Sequence, residues 1–146
     1  MEKVKVAFIC VHNSCRSQIA EALAKEFASD TIEAFSAGTM IKDQINQDAV
    51  RLMKEIYNID MEKSQYPKLI SDIGEFDIGI TMGCDVVCPA FLAKYRQDWG
   101  LDDPTGKSDA EFIKVIDEIY ANIINLKERI LNKEIVFEKG NNYETR

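Results

Sequence analysis

Val4-Lys5-Val6-Ala7-Phe8-Ile9-Cys10-Val11-His12-Asn13-Ser14-Cys15-Arg16-Ser17 is the stretch that decides the fold. Residues 4 to 10 form a nearly continuous apolar run, the pattern of a central parallel strand covered on both faces. From Ser17 to Ala28 the apolar positions Ile19, Ala20, Leu23, Ala24 and Phe27 recur at helical spacing. A strand, a tight loop and a helix N-terminus in that order make an anion site. The loop N–H groups point inward and the helix dipole adds partial positive charge. Arg16 closes the loop with a planar, permanently charged fork that suits two oxygens of a tetrahedral oxyanion. Cys10 stands at the strand end, where the same field favours a thiolate. An ordinary thiol has a pKa near ~8.5 and is largely protonated at neutral pH; a helix N-terminus and a nearby cation favour the ionised form.

Five residues separate Cys10 from Arg16. That skeleton recurs by chance, so its place between strand and helix carries the argument. The bland alternative is a buried strand cysteine followed by a helix-capping Ser17. Cys10 is the candidate nucleophile, Arg16 the oxyanion clamp, and Val11 to Arg16 the backbone donors. Asn13 can hold the loop through its side chain and tolerates a left-handed backbone. Ser14 and Ser17 can donate to the sulfur or cap the helix. His12 is the only histidine, which excludes a histidine acid–base pair elsewhere.

Outward from the loop the alternation continues. Ile32 to Ala37 is predicted as a short strand ended by Gly38. Asn46 caps a helix with Ala49, Val50, Leu52, Met53 and Ile56 as its apolar positions, ending at Asn58. Pro67 to Ile73 is expected as a short helix, Phe76 to Met82 as a third strand, and Tyr95 to Leu101 as a fourth. The last long helix is Asp109 to Leu131, with Phe112, Val115, Ile116, Ile119, Ile123, Leu126 and Ile130 in one stripe. This order predicts an α/β three-layer sandwich with a four-stranded parallel sheet. Ligands bind beyond the carboxyl ends of such strands. Cys10, Cys84 and the Asp102-Asp103 pair each follow a strand and are therefore expected at one edge.

The 146 residues suit a single domain over 1–132 with a polar tail at 133–146. Apolar content of 46% with 29% charged residues argues for a globular protein. No apolar run approaches the ~20 residues of a membrane span, and the first residues lack a signal-peptide layout. A cytoplasmic protein with reduced thiols is expected from the four cysteines in a chain with a sizeable core. A net charge of −7 argues against nucleic acid as a partner. It also means that an oxyanion is attracted only locally, by Arg16 and the loop amides.

The filled loop resembles that of the low-molecular-weight protein tyrosine phosphatase family, and within it the thioredoxin-coupled arsenate reductases. Ser36-Ala37-Gly38-Thr39, Cys84 to Pro89, and Trp99-Gly100-Leu101-Asp102-Asp103-Pro104-Thr105-Gly106-Lys107 match in order, so that the resemblance runs from position 4 to about 131. It implies a substrate pocket formed by Val11, His12, Asn13, Ser14, Cys15, Arg16 and Ser17. It makes Asp103, before Pro104, the general acid. It implies that Cys10 attacks arsenate, Cys84 attacks the Cys10 sulfur and expels arsenite, and Cys88 then attacks Cys84. Thioredoxin or a similar thiol reductant would then remove the disulfide. Phosphate would compete with arsenate; a monomer is expected, with no tightly bound cofactor and no metal.

Several positions depart from the family's pattern. His12 stands where glycine is common. Three residues between Cys84 and Cys88 are fewer than in some members, which leaves the order of their attacks open. A structural or zinc-binding role for this pair is the bland alternative, but Cys15 and His12 are poor further ligands. Thr105 and Gly106 stand where tyrosine phosphatases usually carry an aromatic, which favours a reductase; tyrosine phosphatase activity is the alternative. Related reductases can bind a monovalent cation near positions matching Asn13, Glu21 and Ser36. Lys68 stands about where an acidic ligand is expected, so its ammonium is expected to replace the ion.

Overall fold

The computed structural model of the chain describes residues 3–83 and 93–135. Its elements are β1 (Val4–Ile9), α1 (Arg16–Phe27), β2 (Ile32–Ala37), α2 (Gln47–Tyr57), β3 (Ile78–Thr81), β4 (Tyr95–Asp98) and α3 (Asp109–Leu131). Two 3-10 turns, Met61–Lys63 and Ile70–Asp72, lie between α2 and β3. The four strands pair in the order β2-β1-β3-β4, every pair parallel. This is the α/β sheet that the strand–helix alternation predicts.

The sheet is covered on both sides because β1 has two apolar faces. Val6 and Phe8 pack into a large cluster with Ile19 and Leu23 of α1, Leu52 and Met53 of α2, and the buried stripe of α3. Ala7 and Ile9 point the other way, against Phe35, Ile70, Ile73, Phe76 and Ala93. The helix ends follow their capping chemistry. Asn46 accepts from the N–H groups of Asp48 and Ala49, and Asn58 ends α2 in the left-handed region at φ 59°. Ser108 accepts from the Glu111 N–H at the start of α3, where Asp109 and Glu111 face the helix dipole.

Several boundaries differ from the sequence expectation, two of them because a tertiary hydrogen bond wins. The first strand stops at Ile9. Cys10 N–H still donates to Ala37 O at 3.2 Å, and the chain then turns into the loop. Helix α1 starts at Arg16 with Cys15 at its N-cap position, so Ser17 lies inside the first turn and is not the cap. Only Ile70–Asp72 of the expected 67–73 helix is helical. Gly38 N–H donates to Lys68 O and Ile70 N–H to Gly38 O, drawing this segment alongside the end of β2. β4 stops at Asp98, whose carboxylate turns back to Thr81 and Gly83. Of the expected tail, Ile135 is buried in the core; residues 136–146 lie outside the described part.

The path from β1 out to β2 and back across to β3 puts a topological switch at the carboxyl end of β1. Cys10, Gly38, Gly83 and the loop after β4 all follow strand ends at that edge.

Candidate active site

The loop between β1 and α1 is turned so that its carbonyls face out. Val11 O accepts from the N–H groups of Thr39 and Met40, His12 O from Lys42, Ser14 O from Asn46, and Cys15 O from Ile19. Asn13 O accepts from the Gln18 side chain. With those carbonyls bonded outside the loop, the N–H groups of residues 11 to 15 have no backbone partner among the described residues. They are available to a single anion, above a helix whose dipole has the matching sign. Asn13 takes the left-handed conformation, φ 49°, that this turn needs. Gly38 allows the close approach on the other side. A Cβ there would stand 2.5 Å from Val11 O and 2.9 Å from Cys10 O.

Cys10 is buried at the base of the loop, its sulfur 2.8 Å from Ser17 Oγ. Ser17 Oγ in turn accepts from Asn13 Nδ2 at 2.8 Å. With that lone pair engaged, the hydroxyl hydrogen is free to point at the sulfur, and a thiolate is the better acceptor. Ser17 therefore serves the sulfur and not the helix end.

Arg16 is held by one nitrogen. Its Nη1 donates to Met82 O at 2.8 Å, Gly83 O at 3.3 Å and Leu101 O at 2.7 Å. These carbonyls end β3 and open the loop after β4. The anchoring leaves Nη2 toward Asp103, whose Oδ2 is 4.0 Å away. The loop itself is seated by Trp99, its ring 5.6 Å from that of Phe8, and by buried Leu101 and Pro104. Asp103 Oδ1 accepts from the Thr105 hydroxyl at 2.7 Å and its N–H at 3.1 Å. Burial pushes the Asp103 carboxyl up. The two Thr105 bonds, then the charges of Arg16 and Lys42, outweigh it and hold the group below its ordinary value. Thr105 is the functional residue that sequence reasoning missed: it entered only as a missing aromatic, whereas a Thr two residues after an Asp is a side-chain turn signal.

Cys15 is a contrast to Cys10. Burial, then the Asp103 charge, push its thiol up to about 12. Both are free thiols. His12 sits at the rim with Nδ1 2.9 Å from Met40 O. Behind the loop, buried Glu21 accepts from Ser36 Oγ, pairs with Lys25, and lies 3.4 Å from the Lys68 ammonium. Lys68 N–H donates to Asn13 Oδ1 at 2.9 Å. The structure thus brings Asn13, Glu21, Ser36 and Lys68 together, with the ammonium facing the Glu21 carboxylate. Among the described residues no cluster of three or more His, Cys, Asp or Glu is arranged for a metal. Cys84 and Cys88 lie outside the described residues.

A cysteine at a strand end, an inward-facing amide loop and an anchored arginine define a cysteine-based oxyanion-handling enzyme. The chain belongs to the low molecular weight phosphotyrosine protein phosphatase family, which it matches over residues 5–136. It is 41% identical over 125 residues to an arsenate reductase of Brevibacillus brevis, covering 83% of this chain and 92% of the relative. Its fold is similar to that of an arsenate reductase solved in a phosphate-binding state, at TM-score 0.78 and 32% identity, covering 88% of this chain and 99% of that one. The thioredoxin-dependent arsenate reductase of Corynebacterium glutamicum is similar at TM-score 0.72 and 34% identity, over 90% of this chain and 63% of that longer one.

Proposed function

We propose that this protein is an arsenate reductase that draws its electrons from thioredoxin or a similar dithiol. The observation that carries the reading is the way Arg16 joins the two strand ends. It closes the Cys10 loop and donates to the carbonyls of Met82 and Gly83, and position 84 is the next residue in the chain. A cysteine that follows that strand is a natural second partner for the Cys10 sulfur.

The chemistry balances with these residues. Arsenate docks on the loop amides and the free edge of Arg16, and the carboxylate of Asp103 accepts one of its protons. An anion that takes up Arg16's charge favours that protonation. The Cys10 thiolate attacks arsenic, and Asp103 returns the proton to the departing oxygen, which leaves as water. A second thiolate, Cys84, attacks the Cys10 sulfur. The new S–S bond forms as the As–S electron pair stays on arsenic, which leaves as arsenite. Cys88 attacks Cys84, restores the Cys10 thiolate, and the resulting disulfide passes to the dithiol reductant. Lys68 takes the place of a monovalent cation behind the loop. No helix of the described residues is long and apolar enough to cross a membrane, and the reaction is assigned to the cytoplasm.

Arsenate-dependent oxidation of NADPH, coupled through thioredoxin and its reductase, tests the reading. Cys84→Ser is expected to abolish arsenate turnover while leaving hydrolysis of an aryl phosphate largely intact. Brisk hydrolysis by the unaltered protein without any arsenite would establish a phosphatase instead.

A further inference from the structure

We propose that Gln18 and Gln65 are positioning residues for the nucleophile, acting through a buried chain of side chains that aims the Ser17 hydroxyl at the Cys10 sulfur. The inference rests on the assignment of Cys10 as nucleophile.

The chain runs Gln65, Gln18, Asn13, Ser17, Cys10. Gln65 Nε2 donates to Gln18 Oε1 at 2.8 Å, and Gln18 Nε2 donates to Asn13 Oδ1 at 3.0 Å. Asn13 Nδ2 donates to Ser17 Oγ, which reaches the sulfur. Gln18, Asn13 and Ser17 are fully buried, and Gln65 is 6% exposed. Each amide has its direction fixed by a second, independent neighbour. Gln65 Nε2 also faces Gln18 O at 3.0 Å, so that end must be nitrogen. Gln18 Nε2 is surrounded by three oxygens: Asn13 Oδ1, Asn13 O and Tyr66 O. Asn13 Oδ1 receives the Lys68 N–H, so that end is oxygen and its nitrogen must face Ser17. Four donors therefore point the same way, toward the sulfur.

Two consequences follow from physical chemistry. Aligned hydrogen bonds in a low-dielectric interior polarise one another, so each upstream donor strengthens the last one. The chain also fixes a rotamer. Without Gln18 the Asn13 amide oxygen keeps only the Lys68 N–H, so the Asn13 Nδ2 that turns the Ser17 hydrogen onto sulfur is held by one bond and not two. The base of the chain is anchored in the core: Gln65 N–H donates to Met61 O at 2.9 Å, and Met61 is fully buried.

The test is a double-mutant cycle on the reduced full-length protein. The rate of Cys10 alkylation by iodoacetamide is followed against pH by peptide mass spectrometry. Gln18→Met is expected to slow alkylation near neutrality by about threefold and to move the profile to higher pH, in the same direction as Ser17→Ala. In the Ser17→Ala background, Gln18→Met is expected to change nothing further, because no hydroxyl is left to aim. A merely structural glutamine would show the same effect in both backgrounds. An unchanged profile for Gln18→Met, or an effect that persists undiminished without the Ser17 hydroxyl, overturns the proposal. If Gln18→Met does not fold, Gln65→Met read through the same cycle decides the matter. Arsenate turnover is measured in parallel. Its absence in the unaltered protein sinks the proposed reaction but leaves the alkylation cycle decisive for the chain.

Discussion

Asp103 is the residue at which opposing influences meet and the lowering ones prevail. Burial favours its neutral form, and the Thr105 bonds with the charges of Arg16 and Lys42 win in favour of the carboxylate. In the free protein it is therefore a proton acceptor, and in the proposed reaction it becomes the donor only once it has taken the proton that arsenate brings. Thr105→Val removes the 2.7 Å hydroxyl bond and keeps the N–H bond. The carboxyl then rises toward its ordinary value, so the protonated form persists to higher pH. The single-turnover rate of arsenate reduction is expected to hold up further on its alkaline side than in the unaltered protein; a limb that stays put or moves down would remove Asp103 from the acid's role. The order Asp103-Pro104-Thr105 permits this bond without requiring it. Asp103 was singled out by the family resemblance, and Cys10 and Arg16 by their spacing across a strand-to-helix junction. The partner that sets the state of the acid was not, because a threonine's role depends on which way its neighbour's carboxylate turns.

At the scale of elements, what could be read in advance was whatever periodicity and local capping decide. The stripe of α3 from Phe112 to Leu126 is buried as its spacing requires, and Asn46 and Asn58 bound α2. What could not be read was whatever a distant segment decides. Ser17 carries a cap residue's chemistry, but its hydroxyl is taken by Cys10 and Asn13. Lys68 and Leu69 were drawn out of a helix by Gly38 and Asn13. Gly83 shows how strongly one strand end is constrained. Its φ is +105°, and a Cβ there would lie 2.5 Å from Leu101 O and 3.2 Å from Arg16 Nη1. Gly74 is also left-handed, at +71°, with nothing within 4 Å of its added Cβ. Gly83→Ala must move the Leu101 carbonyl that anchors Arg16. It is expected to lower stability by about 1–3 kcal/mol and to raise KM for arsenate. Gly74→Ala carries backbone strain alone and should leave KM unchanged. Urea melts and initial-rate kinetics on the pair separate strain from displacement of the arginine.

For the whole molecule the question is how a chain of net charge −7 holds a multiply charged anion. The long-range field opposes binding, but over about 10 Å at 0.1 M salt it is screened, whereas the loop amides and Arg16 act in contact. Affinity must then come from the loop, and the loop belongs only to the folded state. An unfolded chain has no ring of converging N–H groups, so any oxyanion that fits the loop stabilises the fold by linkage. At a hundredfold excess over Kd the gain is about 2.7 kcal/mol. For a chain of this size one kcal/mol moves Tm by roughly 3 °C, so inorganic phosphate at saturating concentration should raise the melting temperature by about 8 °C. Chloride at matched ionic strength supplies the comparison, since it screens the net charge equally and lacks the tetrahedral oxygens. Arg16→Met is expected to lose most of the phosphate-specific increment, because it removes the permanently charged guanidinium that closes the loop. An equal response to chloride and phosphate would mean that relief of net repulsion, and not the loop, provides the stabilisation. The oxyanion site would then have to be sought elsewhere on the molecule.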